Sequence, residues 1–422
     1  MLESFTFGQQ IKYVRTLKRI NQRELAIGIC SVSYLSKIEN GVIYPSEEIK
    51  NLIIKRLGIE DNFQINENEE KEIQEFYNFL LNKDIQSANK VFKKLLDKDF
   101  SEALKSRFEV ISIFYFVETK QFRELPHLIQ SIFSKEAQLS SELRYIFYKA
   151  LGYYYYHTQK AEKSFYFFEK SVNLVSMFTL SNLELADLYY AYSLAAARLK
   201  KTSTCLKYCQ SALGLYQELY LFKRCVDCHV LLGIIHRRNN NIEEAISHYQ
   251  TSLDLAGKIQ YQDIFLTIQH NLGYLYGVIG EIDKAIELFQ EILSKEDQLT
   301  PLVHAQTILS LVKELHKKGS NKEIFQLLQN GFDLLAIYPN LKNQLYIEFN
   351  FYNLLLHEKY EEIHKIMFSK IVPALEKDKK YFSLSNYCKF LGDHYYSIGK
   401  YKNAANFFVM SREYLKKSHL TV

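Results

Sequence analysis

Along the first sixty positions the hydrophobic residues Phe7, Ile11, Val14 and Leu17 recur at helical spacing, which predicts one amphipathic helix carrying all four on its apolar stripe. A second, short helix is predicted over 22–27. After Gly28, the serines Ser31 and Ser33 can cap a third helix, SYLSKIEN, which Gly41 closes. Ser46, followed by Glu47 and Glu48, opens a fourth that runs to Leu57, with the acids at its positive end. Two short helices joined by a tight turn, the second polar near its start, have the geometry of a helix-turn-helix. Tyr34 and Leu35 belong to its core. The following stretch, IEDNFQINENEEKE, is polar and acidic without apolar period, so a linker is expected over 61–71 between a domain at 1–60 and one at 72–422.

In the larger domain four segments repeat one another: LGYYYYHTQKAEKSFYFFEKS, LGIIHRRNNNIEEAISHYQTS, LGYLYGVIGEIDKAIELFQEI and LGDHYYSIGKYKNAANFFVMS. The glycines are Gly152, Gly233, Gly273 and Gly392. Twelve residues on stand Ser164, Ala245, Ala285 and Ala404, and four further on the aromatics Phe168, Tyr249, Phe289 and Phe408. Weaker copies fall at Ser193 with Cys205 and Cys209, at Val312 with Ile324 and Leu328, and at Phe351 with Ile363 and Met367; two more precede them, ending SANKVF and RELPHLI. The register positions 152, 193, 233, 273, 312, 351 and 392 are about forty apart. Such a period predicts stacked pairs of antiparallel helices, with the glycine allowing close approach and the aromatic filling the gap to the next pair. About nine units are expected.

Composition agrees. Only 15 glycines and 5 prolines in 422 residues leave room for short turns alone, and the class is all-α. No stretch is long and apolar enough to span a bilayer, and no export signal opens the chain, so a cytoplasmic, non-membrane protein is expected. The net charge of +5 is too mild to argue for nucleic acid by itself, but residues 1–60 hold nine Lys/Arg against six acids. The string CVDCH, from Cys225 to His229, matches a haem-attachment pattern, and Cys205 and Cys209 lie nearby. Yet both pairs fall on helix positions of the repeats, and core thiols are the better reading. No phosphate loop, nucleophile elbow or His-Glu-x-x-His occurs; no catalytic residue, metal or cofactor is expected.

QxELA, SxxYLSKIENG and PSxE resemble the N-terminal domain of the phage-repressor (XRE) family over nearly all of residues 5–60. The resemblance implies binding to double-stranded DNA, with Gln22 on phosphate, Val32, Ser33 and Lys37 toward base edges and Asn40 near the backbone. Val32 departs from the amide side chains usual there and offers only apolar contact. A single module contacts few phosphates, so a homodimer or higher even-numbered oligomer, joined through the repeats, is expected on DNA.

The Leu-Gly-x-x-Tyr, Ala and Phe signs resemble tetratricopeptide repeats, although Trp is absent and the period exceeds the usual one. In repeats of that type the first helix of each pair lines a concave groove for extended peptides. The resemblance places Lys149, Tyr153, Tyr156, Asp187, Tyr190, Arg198, Asp227, Arg237, Arg238, His270, Asn271, Tyr274, Gln306, Lys313, Asn386, Lys389 and Asp393 on that face. Two of the four tyrosines Tyr153 to Tyr156 should therefore face the groove. Asn271 and Asn386 can each grip a peptide backbone, since a carboxamide offers both an acceptor and donors. A helix-turn-helix followed by such an array resembles the peptide-pheromone, or quorum-sensing, receptors of Gram-positive bacteria, the Rap, Rgg, NprR, PlcR and PrgX group, and most of all the neutral protease regulators. In that family a short re-imported signalling peptide enters the groove and alters the oligomer and DNA binding. The Rap members instead act on response regulators of the sporulation phosphorelay, which leaves inhibition or dephosphorylation of such a protein as an alternative or second activity.

Overall fold

The computed structural model describes residues 7–58, 67–98, 100, 102–377 and 380–420. Every regular element among them is helical. The chain divides into two compact units, Met1–Tyr220 and Leu221–Val422.

The first unit begins with α1 (Phe7–Leu17), α2 (Gln22–Ala26), α3 (Val32–Glu39) and α4 (Glu47–Leu57). Local chemistry sets each boundary. Asn21 and Glu24 form a reciprocal cap on α2, with Glu24 N donating to Asn21 Oδ1 at 2.9 Å and Asn21 N donating to Glu24 Oε2 at 2.8 Å. Of the two candidate serines, Ser31 caps α3, its Oγ accepting from Tyr34 N at 3.1 Å, and Ser33 lies one residue inside the helix. Phe7, Ile11, Val14, Leu25, Leu35, Ile38, Ile53 and Leu57 form the core of this bundle. Leu17 does not join them. It is 64% exposed, because it ends α1 where the chain turns away to reach α2.

Nine helix pairs follow among the described residues. Four belong to the first unit: α5 (Glu67–Leu81) with α6 (Ile85–Leu96), α7 (Glu102–Glu118) with α8 (Leu125–Ser134), α9 (Ser141–His157) with α10 (Ala161–Leu174), and α11 (Asn182–Arg198) with α12 (Thr202–Glu218). Five belong to the second. These are α13 (Phe222–Arg238) with α14 (Ile242–Lys258), α15 (Gln262–Val278) with α16 (Ile282–Leu293), and α17 (Pro301–Lys318) with α18 (Asn321–Ile337). Then come α19 (Pro339–Leu356) with the broken helix α20 (Tyr360–Ile366) and α21 (Val372–Lys377), and α22 (Tyr381–Ser397) with α23 (Tyr401–Leu420). A π-turn at Met367–Ile371 separates α20 from α21 just before Pro373, whose missing N–H cannot serve the carbonyl four residues back. Residues 67–71 of the linker expected over 61–71 are helical. Helix α5 starts at Glu67, and its Ile73, Phe76, Tyr77 and Leu80 are buried; 59–66 lie outside the described residues.

The register holds through the array. A Cβ on Gly152 would come within 2.6 Å of the Phe168 ring, on Gly233 within 2.9 Å of Tyr249, on Gly273 within 2.9 Å of Phe289 and on Gly392 within 2.6 Å of Phe408. Each aromatic thus lies over the glycine of its own pair, and Tyr249 and Phe289 also belong to core clusters that include residues of the following pair. In the weaker copies Ser193, Cys205, Cys209, Val312, Ile324, Leu328, Phe351, Ile363 and Met367 are all buried.

A second periodicity is conformational. Gln159, Lys200, Asn240, Gly280, Gly319, Glu358 and Gly399 all have positive φ, and each stands seven residues after its register position. There the first helix ends in a left-handed residue, and the next N–H reaches back five residues, as Lys160 N does to Tyr155 O at 2.9 Å and Lys400 N to Tyr395 O at 2.9 Å. One such residue reverses the chain in two or three positions, which is how so few glycines suffice.

Candidate functional site

In the first bundle, α3 presents Val32, Ser33 and Lys37 to solvent, while Leu35, Ile38 and Glu39 face inward. Asn40 is exposed, and its Oδ1 accepts from Lys12 Nζ at 3.1 Å. Gln22 is committed differently from the sequence-based expectation. Its Nε2 donates to Glu39 Oε2 at 2.8 Å, and the same buried carboxylate accepts from Arg15 Nε at 2.5 Å and Arg15 Nη2 at 3.0 Å. This contact uses one of the two amide hydrogens of Gln22. Arg15 Nη1 also donates to Ile20 O at 2.8 Å, so a single ionic knot ties α1, α2 and α3 together. Nothing in the spacing of the sequence pointed to Glu39 as the centre of this knot.

Within each unit the first helices of successive pairs meet through side chains at the expected inner positions. In the first unit, Tyr153 of α9 donates its hydroxyl proton to Asp187 Oδ2 of α11 at 3.0 Å, and Lys149 Nζ lies 3.4 Å from the same oxygen. Lys149 is 1% exposed and Asp187 7%, so this ion pair lies out of solvent reach, and Lys149 Nζ makes no hydrogen bond among the described residues. Burial, and then the Asp187 charge, pushes the Tyr153 hydroxyl well above its ordinary pKa. The Arg198 guanidinium stacks 3.5 Å over the Tyr156 ring and donates to Tyr156 O at 2.6 Å. Tyr190 meets Tyr216 edge-on. Of the tyrosine run, Tyr153 and Tyr156 turn to α11, whereas Tyr154 packs on Phe122 and Tyr155 stacks on Phe167.

In the second unit Glu348 of α19 accepts from Lys313 Nζ of α17 at 2.7 Å, from Tyr387 of α22 at 2.8 Å and from Lys380 Nζ at 3.4 Å. Burial alone would raise this carboxyl, but the two lysines and the phenol outweigh it and hold it at about 2. His270 Nε2 lies 3.3 Å from Ser310 Oγ, and burial, with Arg237 and Lys313 adding to it, holds the imidazole at about 4 and therefore neutral. Asp227 is half-buried 3.9 Å from Arg224; burial raises its pKa and Arg224 offsets that in part. Other members of the expected set are uncommitted. Among the described residues, the carboxamides of Asn271, Gln306 and Asn386 make no side-chain hydrogen bond, Lys389 and Asp393 are exposed without an ion pair, and the Arg237 guanidinium lies 5.4 Å from the Tyr274 ring. Arg238 is exposed beside it. Residues that the sequence reading did not assign also act here. Lys317 Nζ donates to both Glu314 oxygens at 2.8 Å and to Gly277 O at 3.1 Å, clamping α17 to α15.

Five cysteines are buried and Cys30 is half-buried; Cys225 and Cys228 lie inside α13 as core thiols. Among the described residues, no cluster of three or more His, Cys, Asp or Glu has metal-holding geometry, and no helix is long and apolar enough to cross a membrane.

A four-helix bundle joined to an array of helix pairs defines the class. No family model matches the chain. It is 31% identical over 409 residues to the transcriptional activator NprA of Geobacillus stearothermophilus, covering 93% of this chain and 99% of that protein. The chain belongs to the family of that transcriptional activator. It is also 26% identical over 232 residues to response regulator aspartate phosphatase A of Bacillus subtilis, covering 53% of this chain and 59% of the phosphatase. The crystal structure of NprR in complex with its cognate peptide NprX superposes with a TM-score of 0.56 at 16% identity, covering 84% of this chain and 99% of that one, and shares the fold.

Proposed function

We propose that this chain is a cytoplasmic quorum-sensing transcription regulator: α3 reads double-stranded DNA, and a short re-imported peptide binds along the inner face of the repeats and changes the arrangement of an even-numbered homo-oligomer. The observation that carries the reading is the division of labour on that face. Lys149, Tyr153 and Asp187 are spent on one another, whereas Asn271, Gln306 and Asn386 keep their carboxamides unbonded on the first helices of the second unit. An amide that serves no packing purpose is suited to the N–H and carbonyl of an extended peptide. On the DNA side, Ser33 and Lys37 stand ready for base edges, with Val32 for apolar contact, Gln22 for a phosphate through its remaining amide hydrogen, and Asn40 beside the backbone. The test is a gel shift on sites selected from random duplexes, with and without short peptides from the culture medium of the source cell. A peptide-dependent change in binding supports the reading, and binding indifferent to every peptide fraction removes it.

A second reading rests on the similarity of about half the chain to an aspartate phosphatase of response regulators. It predicts that the purified chain retains a phosphorylated sporulation response regulator or speeds loss of its phosphate. Unchanged phosphate lifetime together with no co-elution excludes it.

A further inference from the structure

Three of the twelve histidines meet in one helix pair. His229 and His236 stand on α13, four residues before and three after Gly233, and His248 stands on α14, fifteen after it. At the same register α9 and α10 carry Tyr148, Tyr155 and Phe167, and α22 and α23 carry Cys388, Tyr395 and Phe407. In those pairs stacked rings fasten one helix to the other, Tyr155 to Phe167 at 5.4 Å and Tyr395 to Phe407 at 5.7 Å between centroids. The imidazoles keep that arrangement: the His229 and His236 rings each lie 5.2 Å from the His248 ring, with His236 stacked on it. What differs is that each can take up a proton. His229 Nδ1 and His248 Nδ1 are 3.0 Å apart, a hydrogen bond in which one nitrogen donates and the other must be bare to accept. Nδ1 of His236 is buried and has no hydrogen-bond partner among the described residues. Burial holds His229 below the ordinary histidine value, and burial with the two neighbouring imidazoles holds His248 at about 4. Glu244, one turn earlier on α14, opposes that shift and is outweighed. Helix α15, which packs on α14, brings no charge acting on either ring among its described residues.

We propose that the stack of His229, His236 and His248 is an acid-sensitive fastening between α13 and α14, closed near neutral pH and released on acidification. The Nδ1 pair tolerates one extra proton, which the two rings share. A second makes both nitrogens donors, and two cations then face each other with a third imidazole stacked on one of them. The sign follows from linkage. The folded pKa of His248 lies below its unfolded value of about 6.5, so the open form takes up the proton first; the stability contributed is full above about pH 6.5 and is lost as pH falls toward 4. Helix α13 begins the second unit and carries Asp227 and Arg237, so the pH of the cell becomes a second input to a regulator whose first is its ligand.

Hydrogen exchange of the full-length chain tests it, read as protection factors so that the intrinsic pH dependence of exchange divides out. From the folded and unfolded values of His248, protection of α13 and α14 should fall roughly ten- to thirtyfold between about pH 7.5 and about pH 5. His248→Leu places in α14 the residue type that Leu288 and Leu327 supply at this register in α16 and α18. It should keep its protection at about pH 7.5 and lose less than about threefold of it at about pH 5. Histidines outside the stack, such as the neutral, buried His270, act alike in both chains and cancel in the comparison. His248→Gln, which retains a hydrogen-bonding side chain and does not titrate, gives the same comparison if the leucine variant does not fold. A fall confined to the wild type supports the fastening. Protection of α13 and α14 that is insensitive to pH in the wild type, or that falls equally in wild type and variant, overturns it.

Discussion

Glu39 is 1% exposed and receives three hydrogen bonds from two side chains on two other helices. Glu39→Ala strips Arg15, itself largely buried, of its counter-ion and Gln22 of its acceptor. Breaking a buried ion pair from one side costs about 3–5 kcal/mol. A four-helix unit of this size is stable by roughly 3–8 kcal/mol, so the substitution consumes much of the reader's stability while leaving the repeats folded. Hydrogen exchange of peptides from 7–40 in the full-length chain reads that local loss, and a 3 kcal/mol change accelerates exchange about a hundredfold where opening is subglobal. The double variant Arg15→Met with Glu39→Leu removes both charges and fills their space, and should recover more than half of the protection, because apolar replacement of a buried pair is often neutral. If the double variant exchanges as fast as the single one, the cost lies in lost helix-to-helix contacts and not in the stranded charge.

Asn271→Ala should leave the ligand-free thermal midpoint unchanged yet cost about 1–3 kcal/mol of peptide affinity by calorimetric titration; unaltered affinity would mean that the clamp is elsewhere. Gly277→Ala puts a Cβ 2.5 Å from Glu314 Oε1, a buried carboxylate held by Lys317, and should destabilise by about 1–3 kcal/mol, whereas Gly214→Ala, in open space within α12, should stabilise by up to about 1 kcal/mol; thermal melts that fail to separate the two would contradict the packing. The folded pKa of Glu348 lies below its unfolded value, so its contribution is fully present above about pH 4.5 and is lost as pH falls toward 2; urea midpoints of Glu348→Gln should be lower than wild type at neutral pH and converge with it in acid. On a selected operator, Lys37→Ala should lower the ratio of specific to nonspecific affinity, with a cost of about 1–3 kcal/mol, and a ratio that does not move would take Lys37 away from the bases.

The helices and their pairing were legible because burial enforces them locally. A glycine facing an aromatic sixteen positions on leaves a mark in one sequence, since both ends of the contact belong to the same hairpin. Contacts between pairs leave weaker marks. Gly331 of α18 receives Phe349 of α19, and a Cβ there would lie 2.2 Å from the ring, yet neither residue falls in the repeating register. Tyr77 of α5 donates to Glu184 of α11 across 107 residues of chain, a distance over which periodicity carries no information. For the same reason the inner-face positions could be read while their commitments could not. That Lys149 and Tyr153 are spent on Asp187, and Arg237 on nothing ionic, depends on which first helices stand side by side.

The turns show the limit most sharply, and they can be tested. Seven residues after each register position the chain needs a left-handed residue, but glycine supplies it only at 280, 319 and 399; Gln159, Lys200, Asn240 and Glu358 adopt the same conformation with a side chain. The Schellman hydrogen bonds and the packing of two long helices impose it there, against a local preference of roughly 1 kcal/mol. Gln159 is exposed at φ 58°, so Gln159→Gly should relieve that strain and raise stability by up to about 1 kcal/mol even after the entropy that glycine adds to the unfolded chain. Gly399→Gln, at φ 77° and with open space for a Cβ, should lower it by a similar amount. Thermal melts of the two reciprocal variants decide the matter. Shifts of the same sign would show that side-chain contacts, and not backbone conformation, govern these turns.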